Sequence, residues 1–300
     1  LAESLGDLLA FDADGQRTEL VRPHLSKLAA DPVLSVRSCV AHTIAASLRH
    51  ARPAAYAAFE QLIEGDDVLL AVHLVQDLML YIGNANPEVI DPVIQRMLSS
   101  EDGEVRQAGG QLAAFAGLEW ERFEILAQAL NADALVRKGA AEICAVRLEC
   151  TSNASLATSA LLQLINDEDD DVRKAAAQVA QNLRERPLRP FAALLSALID
   201  SRSYEYATPQ LLLTLEHAPD KVDDLALKAA QRFLFVYGKE AGDIRTSAAG
   251  DAHYISELVV RGLAQSRDRT HRASLLDVLD LLLELGVYGI GDAIAASERL

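Results

Sequence analysis

Apolar residues recur along this chain at three- and four-residue spacing, the period of a helix that buries one stripe. Val36, Val40, Ile44 and Leu48 form one such stripe, and Val172, Ala176, Val179 and Leu183 form another. Each stripe opens on an acidic turn followed by a Val-Arg pair. Between these stretches lie others of the same period: AYAAFEQLIEG, EVIDPVIQRMLSS, RFEILAQAL and SLATSALLQLIND. They end just before the next acidic turn. The pattern therefore predicts helices in alternating first and second positions. Pro53, Pro87, Pro187 and Pro190 fall between them, where a missing N–H costs least.

The second helices share a frame, D-x4-V-R. It reads Asp167, Val172, Arg173 in one copy and Asp31, Val36, Arg37 in another. Val105-Arg106 follows SEDGE, and Asn131, Val136 and Arg137 give a further copy. A degenerate copy gives Asp67, Val72 and His73. The anchors at 37, 73, 106, 137 and 173 are separated by 36, 33, 31 and 36 residues. A period in this range signals stacked supersecondary units. Downstream the frame weakens. SRSYEYATPQLLLTLEHA supplies a second helix without Val-Arg, and Arg272 restores an anchor arginine. The expected organisation is a repeat array over 1–218 and a continuation over 219–300, with a longer loop at 239–251.

On these residues the chain resembles the HEAT-repeat proteins, the HEAT-like or armadillo-type α-solenoids. The resemblance covers about residues 18–218 well and the remainder loosely. It implies an all-α fold, a right-handed superhelix of stacked antiparallel helix pairs. It also implies a ladder in which each anchor arginine reaches an acid in its own or a neighbouring unit. Arg37, Arg106, Arg137 and Arg173 stand at the arginine position, with Asp31 and Asp167 among the acids; His73 departs from it. Such solenoids serve many roles, so the likeness leaves function open.

Five consecutive acids, Asp167 to Asp171, invite a reading as a divalent-cation site, because carboxylates suit hard cations. An EF-hand loop alternates its ligands and places glycine at its sixth position; this run does neither. The alternative is a helix entrance, where Asp accepts orphan backbone N–H groups and further acids favour the positive end of the helix dipole. Asp31, Asp67, Asp102 and Asp133 stand comparably without forming runs. The cap reading is the expectation, with no metal bound.

Composition narrows the function classes. Half the residues are hydrophobic but only 5% are aromatic, which favours helices packed closely through small side chains. The net charge of -16 repels phosphate backbones and argues against nucleic acid as a partner. The three cysteines, Cys39, Cys144 and Cys150, are odd in number and lack CxxC spacing, so a reducing, cytoplasmic location is expected. Apolar runs are broken by charge before ~20 residues, so no membrane span is expected. The chain opens LAESLGDLLAF with neither a basic start nor an initiator Met, and is read as a piece of a longer protein.

Catalytic patterns are missing. There is no G-x-S-x-G, no G-x4-G-K-[ST] and no HExxH. HEAT-type hydroxylases resemble one another in repeated His-Glu pairs, and here Glu216-His217 runs in the other order. HEAT-like glycosylases imply a basic groove with aromatics, whereas Trp120 lies between Glu119 and Glu121. No catalytic residue and no cofactor are expected.

What remains is a surface. One and five residues after each anchor, side chains are expected to turn outward. The first set is Ser38, Leu74, Gln107, Lys138 and Lys174; the second is His42, Leu78, Gln111, Glu142 and Gln178. The row is polar and mixed in sign, which suits a protein or peptide partner, or another domain of the same polypeptide. Leu74 and Leu78 are either an apolar anchor site or buried. The loop AGDIRTSAAGD adds Arg245, which can pair with a carboxylate or phosphate where small neighbours let a ligand approach; Asp251 is read there as the cap of the next helix. The candidate partner-binding residues are thus His42, Gln111, Lys138, Glu142, Lys174, Gln178 and Arg245. The expected function is a non-enzymatic interaction scaffold. The alternative is a C-terminal sensor or regulatory module of a larger bacterial nucleotide-hydrolysing or effector protein, and a HEAT-type enzyme is the third reading.

Overall fold

The computed structural model describes residues 2–220 and 222–297, and among them there is helix and no strand. The chain divides into two compact units, 1–143 and 144–300. The expected boundary near 218 lies inside the second.

The first unit begins with α1 (Ala2–Ala10), α2 (Gln16–Val21) and α3 (Leu25–Ala29). It continues through α4 (Leu34–Ser47), α5 (Arg52–Ile63), α6 (His73–Ala85), α7 (Pro87–Leu98), α8 (Gly103–Glu119) and α9 (Phe123–Leu130). Helix α10 (Ala134–Arg147) ends it and runs on into the second unit. Consecutive helices pack on one another from α3 to α5 and from α6 to α9, while α1 and α6 both pack on α4. The second unit holds α11 (Ala154–Leu164), α12 (Asp170–Ala177), α13 (Val179–Asn182), α14 (Ala192–Asp200) and α15 (Tyr204–Glu216). After these come α16 (Asp223–Tyr237), α17 (Ser247–Gln265), α18 (Arg269–Glu284) and α19 (Ile290–Ser297). Here two rows are visible: α11, α14, α16 and α18 pack in succession, and so do α12–α13, α15, α17 and α19.

Helices α8, α10 and α12 start at corners built from their own side chains. Asp102, Asp133 and Asp169 stand four residues before Arg106, Arg137 and Arg173. Each accepts two backbone N–H groups of the turn that follows, at 2.8 to 3.2 Å. Asp268, four before Arg272, also accepts the N–H of His271 at 2.7 Å, but α18 packs in the row of α11, α14 and α16, so Arg272 does not restore a second-helix anchor as expected. The capping acid of the five-acid run is therefore Asp169, while Asp167 accepts the Asp169 N–H at 2.9 Å. The anchor arginines then turn back on the corner. Arg106 Nη1 donates to the carbonyls of Ser100 and Glu101, Arg137 Nη1 to Ala132, and Arg173 Nη1 to Asp167 and Glu168, at 2.6 to 3.0 Å. Acid and arginine together satisfy N–H groups in the first turn of the second helix and carbonyls of the linking turn before it.

Two copies depart from this scheme. Val33 occupies the cap position before α4 and cannot accept, so Asp31 takes the Val33 N–H at 2.8 Å; Arg37 reaches forward to the carbonyls of Leu62 and Glu64 at the end of α5. In α6 the anchor is Gln76, not His73. Its buried residues Val75, Leu78, Met79, Ile82 and Gly83 match Val105, Ala108, Gly109, Leu112 and Ala113 around Arg106, and Gln76 Nε2 donates to Ala71 at 3.2 Å. A 3₁₀ turn, Asp67–Ala71, lengthens this corner and displaces the register. Leu78 is accordingly a core residue at 0% exposure.

Asp12 holds the turn between α1 and α2. It is 2% exposed and accepts hydrogen bonds from Thr18 Oγ1 (2.7 Å), Thr18 N (2.8 Å) and Arg17 N (3.4 Å). Burial pushes its pKa up, but these donors outweigh it and hold the carboxyl at about 2.

Two outcomes follow from these corners. Asp169→Ala should lower unfolding free energy by about 1 kcal/mol, the usual worth of an N-cap. Millimolar Ca²⁺ or Mg²⁺ should leave the melting temperature of the unsubstituted protein unchanged, because the Asp169 carboxylate is engaged by backbone; a rise would restore the cation reading. For Asp12 the folded pKa lies below the unfolded one, so its contribution is complete above about pH 4 and lost as pH falls toward about 2. Amide hydrogen exchange in α1 and α2 should quicken over that window, and Asp12→Ala should remove this pH dependence.

Candidate functional site

Helices α8 and α10 meet almost backbone to backbone. A Cβ added at Gly139 would fall 2.1 Å from the carbonyl oxygen of Gln107, and one added at Gly110 would fall 2.1 Å from that of Val136. Only glycine fits at either place. This approach brings four of the outward-facing residues into one cluster. Gln107 Nε2 donates to both carboxylate oxygens of Glu142 (3.0 and 3.1 Å), and Gln111 Nε2 donates to Oε2 (2.7 Å). Lys138 Nζ donates to Gln107 Oε1 at 3.3 Å. Gln111 and Glu142 are thus joined directly and Lys138 joins Glu142 through Gln107, which brings together three of the expected partner contacts.

Beside the cluster is a hollow of about 90 Å³, lined by Leu80, Ala108, Leu112, Phe115 and Ile143 with Gln76 and Gln111 at its edge. The ring of Phe115 meets Trp120 edge-on, 5.5 Å between centroids. Trp120 is itself 8% exposed; its Nε1 donates to Asn84 Oδ1 at 2.8 Å and its ring occupies the space left by Gly83. It is a tether between neighbouring second helices. Tyr81, next to Leu80, is 62% exposed.

The other expected contacts lie elsewhere. His42 packs against Gly6 of α1, with Nε2 3.2 Å from Asp7 Oδ1, so α1 occupies this end of the row. Lys174 pairs with Asp171 (2.9 Å), which raises its pKa, and lies 5.5 Å over the Tyr206 ring. Gln178 is exposed. Arg245 is exposed too, in a loop shorter than expected: Thr246 Oγ1 accepts the Ala249 N–H at 3.2 Å and α17 starts at Ser247. Asp251 therefore sits inside α17 instead of capping it, half-buried, and burial pushes its pKa up. Of the arginines, Arg106 Nε lies 3.0 Å from Asp133, the cap of α10, and Arg173 pairs with Asp170 in its own turn.

Among the described residues no group of three or more His, Cys, Asp or Glu side chains could hold a metal, and no helix is long and apolar enough to cross a membrane. Burial pushes the Cys144 thiol up to about 12, so it stays protonated.

No protein-family model matches the sequence, and no curated protein matches it. Among solved structures, the crystal structure of an engineered protein is 15% identical, with 97% of this chain and 92% of that chain covered and a TM-score of 0.40. A second engineered protein is 16% identical, covering 95% and 97%, with a TM-score of 0.21. Likeness of this size bears on neither architecture nor function.

The α8–α10 contact predicts a reversal of sign. Gly→Ala inside a helix ordinarily stabilises by about 1 kcal/mol. Gly139→Ala should instead destabilise by about 1–3 kcal/mol, because the methyl forces two backbones apart. Denaturant titration checks it; a midpoint at or above that of the parent protein would contradict the contact.

Proposed function

We propose that the chain is a HEAT-like α-solenoid acting as a non-enzymatic scaffold, which holds a protein or peptide partner on the second-helix face of the first unit. The observation that supports this reading is the apolar hollow between α6 and α8 set beside the fixed Gln107–Gln111–Glu142 cluster. Protein interfaces draw their affinity from a few apolar anchors framed by polar groups, and this surface has that composition. Its mixed charge fits a protein better than a phosphate backbone. Free thiols on Cys39 and Cys150 fit a reducing compartment, and the cytoplasm is the proposed location.

A second reading, a regulatory module within a larger polypeptide, draws on a different surface. Leu8, Phe11 and Leu20 are 55%, 83% and 76% exposed around α1 and α2. Apolar area of this kind fits packing against another domain.

Site-specific photocrosslinking separates a binding face from an ordinary surface. A photoreactive residue at Tyr81 should capture a discrete partner. The same residue at Phe123, 48% exposed on the first helix α9, should not. Equal capture at both positions, or none at Tyr81, would remove the scaffold reading.

A further inference from the structure

We infer that the hollow between α6 and α8 takes the aliphatic side chain of a peptide segment that carries a lysine or arginine beside it. The assignment rests on the binding role proposed above for this face and names the occupant.

Size comes first. At about 90 Å³ the hollow is well below the roughly 300–1,000 Å³ of small-molecule sites, and it matches one branched aliphatic side chain. Its walls, Leu80, Ala108, Leu112, Phe115 and Ile143, offer only carbon. The wall holds no charged group to meet a phosphate or a carboxylate.

The rim decides what flanks that side chain. Gln76 Nε2 is committed to the Ala71 carbonyl, and Gln111 Nε2 to the Glu142 carboxylate. Both amide orientations are forced, since a carbonyl and a carboxylate accept only. Each amide keeps its oxygen and a second N–H, so neither amide by itself selects for donors or acceptors. Glu142 adds a carboxylate one hydrogen bond from Gln111, and the Asp77 side chain is 42% exposed on α6. Against these acceptors stand His73, 85% exposed and 3.4 Å from Asp77, and Lys138, whose ammonium is turned to Gln107 Oε1. Among the charged groups two carboxylates, Glu142 and Asp77, stand against the one ammonium of Lys138, so the complementary occupant brings a cation. The chain's net charge of -16 acts in the same direction over longer range.

A displayed library of random peptides, selected on the full chain, tests the inference. Enriched sequences should share a Leu, Ile or Val next to Arg or Lys. A fluorescently labelled enriched peptide, followed by anisotropy, should bind at least about tenfold more weakly when its aliphatic residue becomes Ser. Leu80→Glu should cause a similar loss. Replacing the peptide's Lys or Arg by Gln should weaken binding as well; it leaves the protein unaltered and keeps the test decisive if Leu80→Glu perturbs the fold. Enrichment of acidic or non-aliphatic sequences, no enrichment, or binding indifferent to loss of the peptide's cation would overturn the assignment. These results would leave the scaffold reading standing; that reading falls only with the Tyr81 crosslink.

Discussion

Where two helices abut, the end of one leaves carbonyls without partners and the start of the next leaves N–H groups without partners. In this protein a short side-chain circuit closes that gap. At Arg106, Arg137 and Arg173 an acid four residues earlier takes the N–H groups, and the guanidinium takes carbonyls of the linking turn. Because both members belong to the second helix, the corner fixes that helix's rotation as well as its start. Burial one residue before the anchor and two, three, six and seven after it recurs around Gln76, Arg106 and Arg173. What faces outward is the remainder, so the surface row is a consequence of the corner.

The second constraint is the spacing of α8 and α10. Glycines at 110 and 139 let two backbones approach, and amide side chains that would otherwise reach only solvent span the gap to Glu142. Side chains read as exposed partner contacts are therefore also ties between helices. Their polarity was legible and their mutual engagement was not, because it depends on lateral offset between helices and not on position along either one.

Other misreadings have similarly local causes. Val72-His73 imitates the Val-Arg pair, but the 3₁₀ turn at Asp67–Ala71 moves the anchor to Gln76. The signal was present: Val75, Leu78, Met79 and Ile82 repeat the spacing of Val105, Ala108, Gly109 and Leu112, and a search keyed to positive charge passes over glutamine. Both Asp167 and Asp169 belong to the acid run, so composition alone could not say which of them caps. Asp251 looked like a cap because Thr246, the residue that serves, is followed by Ser247 and small residues that read as loop. The all-helical character and the second-helix stripes needed only periodicity, a property of each segment by itself. His42 lies against α1, a segment outside the repeating frame, and no repeat pattern marks that contact.

The Gln107–Gln111–Glu142 cluster bears on what this face can do well. A carboxylate held by amides from a neighbouring helix keeps its direction before any partner arrives. Fixed groups lose little conformational freedom on binding, which favours recognition by a surface that does not rearrange. The same coupling restricts change: replacing Gln107 or Gln111 to suit a different partner also releases Glu142 and loosens the α8–α10 contact. Leu80 and Tyr81, which take no part in that hydrogen-bond cluster, are where the apolar half of the surface is freer to vary. Under the proposed binding role, specificity carried by the size of the hollow can thus be tuned separately from specificity carried by the charges around it.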